Sequence, residues 1–405
     1  MTSLFIVFLV GVIISRTFGT SGKGLVTMLV LIPTMTSIYL SLSLEEGFLY
    51  YIGKNKINRS TFDELIIRIS ILFFPIFSAV FTFIYFFVEI DPHPFIYGYN
   101  YIPQFLFMCA ILFRSIFQSS LRAMLKFYLF NLFEIIKVIL LMVGIIMLVF
   151  LDKTPIEIIW VYLVAEASTL FFQYIYIRKN LPLGSKATSL LKIIKYSYKV
   201  HFFKILNLSE GKFDLLIVGY FLSLSDVGIY SIVLSFSLIF QTVIQSSIST
   251  VLLPNLVKLE NNEENLRVNL TIRYYRISLC LALLFFIIMY LVGSFLIVNI
   301  YGDEFKSAYF PLIILLIGSL IKFPSPCINA FFKSIGIPEE LYKTSVISLT
   351  FNIFLCLILI PIYGIVGAAI SSSVSYFIYG GIMLYKFKNK NNLKIIDIFR
   401  GLQNC

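Results

Sequence analysis

The chain has 405 residues, of which 59% are hydrophobic and 13% are charged, and its mean hydropathy is +0.93. Soluble globular proteins contain about 45–50% apolar and about 25% charged residues. One water-soluble core of this size cannot bury such an excess of apolar side chains, so the composition predicts a membrane protein with many crossings. It excludes cytosolic enzymes, secreted disulfide-bonded domains and nucleic-acid binders.

The formal net charge of +11 fits basic cytoplasmic loops better than a nucleic-acid partner. The five cysteines show no CxxC spacing, which predicts no disulfide framework. The two histidines, His93 and His201, are predicted on opposite sides of the membrane, so we expect no histidine-based metal site or triad. The sequence has no GxxxxGK[ST] phosphate loop, so the chain is not expected to use ATP itself, and no cofactor is predicted.

Apolar runs of about 20 residues, the length that crosses a bilayer, occur twelve times. They lie at 2–15, 24–44, 66–88, 101–118, 128–150, 156–177, 200–222, 227–256, 277–300, 308–330, 341–361 and 364–385. The first run covers only about 22 Å at ~1.5 Å per residue, against a hydrocarbon core of ~30 Å. We therefore expect either a start further upstream or a short span supported by its neighbours.

The spans divide into two halves of six. We predict an N-terminal lobe at 1–178, a basic cytoplasmic linker at 179–199, a C-terminal lobe at 200–386 and a cytoplasmic tail at 387–405. The stretches from Ile14 and from Ile217 share an aromatic residue, a small polar turn and a glycine that opens the next helix. The loops that follow both end in Arg-Ile-Ser, so the sequence favours two lobes related by a parallel repeat.

The positive-inside rule gives the orientation. With a cytoplasmic N-terminus, 24 of the 32 lysines and arginines lie on the inner side. Four lie on the outer side, namely Arg16, Lys23, Lys153 and Lys306, and four lie within spans. Both termini are therefore predicted in the cytoplasm, with the protein in a bacterial cytoplasmic membrane.

Ionisable residues within the spans cost about 2.5–3.5 kcal/mol each on insertion scales, so each is a candidate for function or pairing. They are Glu134, Lys137, Glu166, Lys204, Glu210, Lys212, Asp214 and Lys322. One interpretation is a set of mutually neutralised structural pairs. The other is a polar cavity between the two halves that receives a charged or sugar-rich substrate.

The seventh span favours the cavity. Ser209-Glu210-Gly211-Lys212 is a poor helical sequence in lipid. It predicts a locally broken helix, which membrane proteins tolerate where the backbone lines water or is buried in protein.

Three stretches then carry a family resemblance. They read S-R-T-F-G-T-S-G-K-G-L (Ser15–Leu25), F-D-L-L-I-V-G-Y-F-L-S-L-S-D-V-G-I-Y-S (Phe213–Ser231), and G-I-P-E-E-L-Y (Gly336–Tyr342) followed by Asn352 and I-P-I-Y-G-I-V-G-A-A-I-S-S (Ile360–Ser372). In this order they resemble Wzx-type O-antigen flippases of the multidrug/oligosaccharidyl-lipid/polysaccharide superfamily. The resemblance covers nearly the whole chain.

The resemblance implies an all-α, MATE-like, V-shaped transporter of about twelve transmembrane helices in two six-helix lobes. Its substrate would be a polyprenyl-diphosphate-linked glycan, moved across the bilayer by alternating access, with the polysaccharide polymerase machinery as a further partner. Arg16 would lie at the outer gate, and Asp214 matches the acid that opens the seventh-span motif. Lys137, Lys204, Lys212 and Lys322 are the candidates to receive diphosphate or acidic sugars, and the glycines Gly364 and Gly367 are expected to serve close helix packing.

Two other functions stay open at this point. A cation-coupled multidrug exporter of the same superfamily would use acids in the first lobe, for which Glu134 and Glu166 are available, with Glu210 as a further coupling or pairing acid. A membrane polysaccharide polymerase or transferase would need catalytic acids in an outer loop. Only Glu89 and Asp91, beside His93, are candidates there, and they are more typical of a solvated turn, so no enzyme is expected.

Overall fold

The structure is a computed structural model that describes residues 2–88, 101–183, 188–209, 211–259 and 263–400. Within these ranges it is almost wholly α-helical and contains no strand. The helices are α1 (Thr2–Leu40), α2 (Leu44–Gly53), α3 (Arg59–Val88), α4 (Tyr101–Ala123), α5 (Phe127–Phe150), α6 (Ile158–Asn180), α7 (Leu190–Ser209), α8 (Lys212–Phe221), α9 (Leu224–Lys258), α10 (Glu264–Tyr301), α11 (Tyr309–Lys322), α12 (Ser325–Ser334), α13 (Glu339–Lys390) and α14 (Ile395–Arg400).

Nine helical segments in the described ranges are long and apolar enough to cross a membrane. Two of them, α1 and α13, contain a residue with non-helical backbone angles and so supply two crossings each. The helices α7 and α8 are not among the nine, and together they overlap the predicted seventh span at 200–222. Together these segments give the twelve crossings expected of this all-α membrane protein.

Glycines make the bends. Gly19 has φ 66° and ψ −167°, and Gly364 has φ 58° and ψ −140°. Side chains with a Cβ rarely adopt these angles, because the Cβ approaches the neighbouring backbone. The second crossing therefore begins after Gly19, five residues earlier than the glycine expected from the repeat.

The break predicted in the seventh span is present. Helix α7 ends at Ser209, α8 begins at Lys212, and Gly211 between them has φ 73°. Glu210 lies outside the described residues. The interruption places Lys212 and Asp214 in the first turn of a new helix.

Two compact units divide the chain. The first comprises Met1–Lys212 with Ser223–Ser225, and the second Phe213–Leu222 with Asp226–Cys405. The predicted lobe and linker boundaries stay a prediction. Helix α7, which follows the predicted linker, packs on α2 in the first unit. A Cβ added to Gly47 of α2 would lie 2.5 Å from side-chain atoms of Ile193 and Ser197 of α7.

In the second unit, α11 packs closely on the second half of α13. A Cβ at Gly318 would lie 2.4 Å from the Cα of Ser373, and one at Gly380 would lie 2.8 Å from the carbonyl oxygen of Ile321. Small residues allow helix backbones to approach in this way inside a membrane. Gly367 also allows a close backbone approach, since a Cβ added there would lie 2.1 Å from the carbonyl oxygen of Leu359. Gly364 instead forms the bend of α13.

We expect Gly318→Ala to lower the stability of the second unit by about 1–3 kcal/mol, the usual cost of overpacking a close contact. The clash is with backbone atoms of Ser373, which cannot turn aside as a flexible side chain would. The matched control is Gly381→Ala, where no atom lies within 4 Å of the new Cβ. Thermal unfolding of the detergent-solubilised variants tests this, and equal midpoints for the two would contradict the packing described.

Candidate functional site

Charged side chains from α4, α5 and α6 meet inside the first unit. The Lys137 ammonium lies 2.5 Å from Glu134 Oε1 and 3.8 Å from Glu166 Oε1. Arg114 Nε lies 3.2 Å from Glu166 Oε1, and Arg114 Nη1 lies 3.6 Å from Glu134 Oε2. Gln118 Nε2 donates to Glu134 Oε2 at 2.7 Å. Glu166 is buried and the other three side chains are half-buried. We call Arg114, Glu134, Lys137 and Glu166 the buried charge cluster.

Local spacing and helix packing together assemble this cluster. Glu134 and Lys137 are three residues apart on α5, so both project from one face of the helix. Close approach of α5 to α6, where a Cβ at Gly144 would lie 2.4 Å from Val161, brings Glu166 of α6 within reach. Unpaired charges are costly to bury, which accounts for each carboxylate having two cationic neighbours.

The cluster retains an unused acceptor. Glu166 is 5% exposed, and its Oε2 is buried without a hydrogen-bond partner among the described residues. Buried carboxylate oxygens in proteins are nearly always satisfied by a donor. An incoming hydroxyl or amide group can supply that donor.

Lys212 adds positive charge beside the cluster. It is half-buried in the first turn of α8, and Arg114 is near enough to repel it electrostatically. No carboxylate in the described part of the chain forms an ion pair with it. The group formed by Arg114, Lys137 and Lys212 against Glu134 and Glu166 therefore has three cations and two anions.

Within the described ranges, Lys204, unlike Lys212, forms an ion pair with a buried carboxylate. Its ammonium pairs with Glu45, whose side chain is only 3% exposed. One helical turn earlier on α7, His201 Nε2 lies 3.0 Å from the carbonyl oxygen of Tyr39 and Nδ1 lies 3.0 Å from Ser43 Oγ. Because a carbonyl oxygen only accepts, Nε2 carries the proton at the first contact. These bonds fix α7 to the end of α1 and the start of α2.

We expect Glu45→Gln to destabilise the first unit by about 3 kcal/mol, since removing one partner of a buried pair leaves the other charge uncompensated. The double variant Glu45→Gln with Lys204→Gln is expected to recover much of that loss. A double-mutant cycle on thermal unfolding in detergent measures the coupling between the two residues. Additive single effects would show that the pair does not hold α2 to α7.

A second polar cluster surrounds Asp214 in the second unit. Asp214 is 1% exposed. Ser372 donates to Asp214 Oδ2, Tyr230 donates to the same oxygen at 3.3 Å, and the Cys356 thiol lies 3.9 Å from Oδ1. Asn352 Nδ2 in turn lies 3.4 Å from Ser372 Oγ. The carboxylate is thus held by hydroxyl groups from α9 and α13.

Lys322, also in the second unit, is 5% exposed and lies over the ring of Tyr376 at 3.6 Å from its centroid. This cation–π contact stabilises the buried ammonium through the electron-rich face of the ring. Lys322 therefore has an aromatic ring as its neighbour, whereas Lys137 has carboxylates.

Two basic residues that the sequence analysis assigned to loops lie within helices. Arg114, counted as a cytoplasmic charge, lies within α4 and joins the buried charge cluster. Lys23, counted as outer, lies in α1 with its ammonium 3.5 Å from the position of a Cβ on Gly11, and it forms no ion pair with any described residue. Arg16 is exposed on α1, three residues before the bend.

No group of three or more His, Cys, Asp or Glu side chains that could hold a metal ion occurs in the described ranges. This finding does not apply to the predicted outer-loop residues Glu89, Asp91 and His93, which lie outside these ranges.

Comparison with known proteins finds a matching family model and a similar curated protein. A family model described as "Polysaccharide biosynthesis protein" matches residues 13–309. A curated protein of Haloferax volcanii named "Probable flippase AglR" is 28% identical over 202 residues. That alignment covers 48% of this chain and 40% of the relative, so the chain matches less than half of the relative's length.

Solved structures share the fold. A structure titled "Lipid II flippase MurJ, inward closed conformation" has a TM-score of 0.80 and 16% identity, and covers 98% of this chain and 87% of its own. An inward-facing multidrug resistance MATE family transporter of the MOP superfamily has a TM-score of 0.72 and 12% identity, over 97% of this chain and 95% of its own. A point mutant of the Vibrio cholerae MATE transporter VcmN has a TM-score of 0.63 and 11% identity, over 98% of this chain and 96% of its own.

Proposed function

This chain belongs to the polysaccharide biosynthesis protein family, and we propose that it is a flippase for polyprenyl-diphosphate-linked oligosaccharide repeat units. It moves them from the cytoplasmic to the outer leaflet of the bacterial cytoplasmic membrane by alternating access. The units then serve surface polysaccharide synthesis, as O-antigen or capsule. Both termini are proposed to lie in the cytoplasm.

The observation that carries the proposal is the excess of cations over anions in and beside the buried charge cluster, counted over the residues that the structure describes. Arg114, Lys137 and Lys212 outnumber Glu134 and Glu166 by one charge. Like-charge repulsion between Arg114 and Lys212 is relieved when an anion binds between them. A diphosphate is such an anion, and its oxygens accept charge-assisted hydrogen bonds from both groups.

The sugar part of the substrate needs hydrogen-bond partners during the crossing. Each hydroxyl moved into hydrocarbon without one costs several kcal/mol. The unsatisfied Oε2 of Glu166 is an acceptor for a hydroxyl adjacent to the bound diphosphate. The polyprenyl chain remains in the bilayer, so only the polar head requires a protein surface.

The names of similar proteins support the same class of activity. AglR is called a probable flippase and MurJ a lipid II flippase. The alignment with AglR spans under half of that protein, and the likeness to MurJ establishes the fold. The cargo proposed for this chain therefore rests on its own charges.

Arg16, exposed beside the outer bend, is proposed to act at the outer gate. The polysaccharide polymerase machinery is the proposed recipient of the units.

A cation-coupled multidrug exporter is the second candidate, and the fold shared with MATE transporters favours it. Glu134 and Glu166 are the acids that such a protein would use. Both are already paired with Arg114 and Lys137, so an organic cation entering this region meets net positive charge. The charge balance therefore supports an anionic cargo. A polymerase or transferase, the candidate from a different class, is supported by none of the described side-chain clusters.

Deletion of the gene tests the proposal. Surface polysaccharide is expected to be lost while intact polyprenyl-linked units accumulate, and the cloned gene is expected to restore export. Unchanged glycan with altered efflux of organic cations would favour the drug exporter. Single units displayed outside without polymerisation would favour the polymerase.

A further inference from the structure

A groove of about 490 Å³ lies between α5 and α6 on the outside of the first unit. The two helices are tightly packed at one end, where a Cβ at Gly144 would overlap Val161. Towards the other end they separate, and Phe133, Ile136 and Leu140 face Phe172 across the opening. The groove is distinct from the buried charge cluster, which uses the neighbouring positions Glu134 and Lys137 on α5.

The walls of the groove exclude a polar occupant. Ile136, Leu140 and Phe172 are 38–60% exposed there. The hydroxyls at the closed end are already used within α6, since Ser168 Oγ donates to Ala165 O at 3.1 Å and Thr169 Oγ1 donates to Glu166 O at 3.0 Å. A hydrocarbon chain covers these side chains without leaving a polar group of its own unpaired.

The mouth of the groove, in contrast, is positively charged. Lys179 lies there in the last turn of α6, exposed, and its ammonium makes no ion pair with any described residue. Its neighbour Arg178 is held by Asp63 at 2.8 Å, and the Lys179 carbonyl accepts from Arg59 Nη2 at 2.9 Å, which fixes the backbone at the mouth. The positive-inside rule places this end of α6 on the cytoplasmic side.

The length of the groove identifies the chain that fits it. Eleven residues separate Ser168 from Lys179, or about 16 Å at ~1.5 Å per residue. This is about half of a ~30 Å hydrocarbon core, the depth of one leaflet. A glycerophospholipid acyl chain has that reach, whereas a polyprenyl chain of many isoprene units is longer.

We propose that this groove binds an anionic phospholipid of the cytoplasmic leaflet, with an acyl chain between α5 and α6 and the phosphate at Lys179. The bound chain fills the space where the two helices separate, directly beside the helix face that carries Glu134 and Lys137. The site depends on the chain being a membrane protein and is independent of the cargo proposed above.

Native mass spectrometry of the detergent-purified protein tests the site with phosphatidylglycerol and phosphatidylcholine as probes. Wild-type protein is expected to retain phosphatidylglycerol in preference to phosphatidylcholine. Lys179→Glu is expected to reduce phosphatidylglycerol binding about fivefold or more, the effect of a basic residue at a charged lipid surface. Ser168→Phe, which fills the closed end, is expected to displace both lipids.

Each variant has a matched control. Ala167→Phe adds the same ring at an exposed position one residue away and outside the groove, and Lys126→Glu reverses an exposed charge before α5 on the same side of the membrane. Both controls should bind phosphatidylglycerol like the wild type. Unchanged binding in Lys179→Glu and Ser168→Phe, or equal affinity for the two phospholipids, would overturn the proposal. Displacement of phosphatidylglycerol by lower concentrations of a polyprenyl phosphate would also overturn it, in favour of the substrate's own chain.

Discussion

Replacing Lys212 with alanine is expected to decrease export of the lipid-linked glycan at least tenfold while the protein remains inserted and abundant. The substitution removes the excess cation beside the buried charge cluster and leaves two cations against two carboxylates. A hydrogen bond to a charged group contributes about 1.5–3 kcal/mol, so the loss of one corresponds to a tenfold to hundredfold decrease in transport. Surface polysaccharide of a deletion strain that carries the variant gene is the measurement, with protein abundance determined in the same cells.

Two further variants separate charge from packing. Lys212→Arg keeps the charge and should retain a large part of the export. Lys199→Ala, at an exposed position of α7, should leave export unchanged. Normal surface glycan in Lys212→Ala would remove this residue from the mechanism.

Asp214→Asn is expected to decrease export at least tenfold with little change in protein abundance. The carboxylate is 1% exposed and accepts hydrogen bonds from Ser372 and Tyr230. Asparagine has nearly the same shape and keeps one acceptor oxygen for Ser372 and Tyr230, while an amide NH2 replaces the other oxygen and the charge is removed. A charged residue within a membrane costs about 2.5–3.5 kcal/mol to insert, and we propose that the charge of Asp214 is used in the transport cycle.

Asp214→Ala is expected to lower stability as well, because the hydroxyls of Ser372 and Tyr230 lose their acceptor, at about 1–3 kcal/mol for each unsatisfied group. The thermal midpoint of the purified protein distinguishes the two variants. Glu339→Gln, an exposed acid of the same unit, is the control and should behave as wild type. Full export by Asp214→Asn would show that the charge is dispensable.

Features that depend on neighbouring residues could be predicted from the sequence. The twelve spans follow from runs of apolar residues, and the break at Gly211 follows from charges and a glycine within one turn. The contact between Glu134 and Lys137 follows from their spacing of three along a helix. In each case the information lies within one continuous stretch of about 20 residues or fewer.

Features that depend on helix packing could not be predicted in this way. Arg114 meets Glu166 across 52 positions of sequence, and Glu45 meets Lys204 across 159, because the rotation of each helix about its axis brings them together. The sequence shows which side chains are charged but not which faces are buried. Lys204 pairs with Glu45, as a structural pair would, and the role of Lys212 in binding stays a proposal.

Transport by the purified protein tests the central claim most directly. Proteoliposomes containing a fluorescent polyprenyl-diphosphate oligosaccharide are treated with a membrane-impermeant quencher, and the accessible fraction is followed over time. Wild-type protein is predicted to accelerate movement of the labelled lipid to the outer leaflet relative to protein-free vesicles, and Lys212→Ala is predicted to accelerate it at least tenfold less. No acceleration by the wild type, or equal acceleration by both proteins, would contradict a flippase whose cargo binds at the positive charge beside the buried charge cluster.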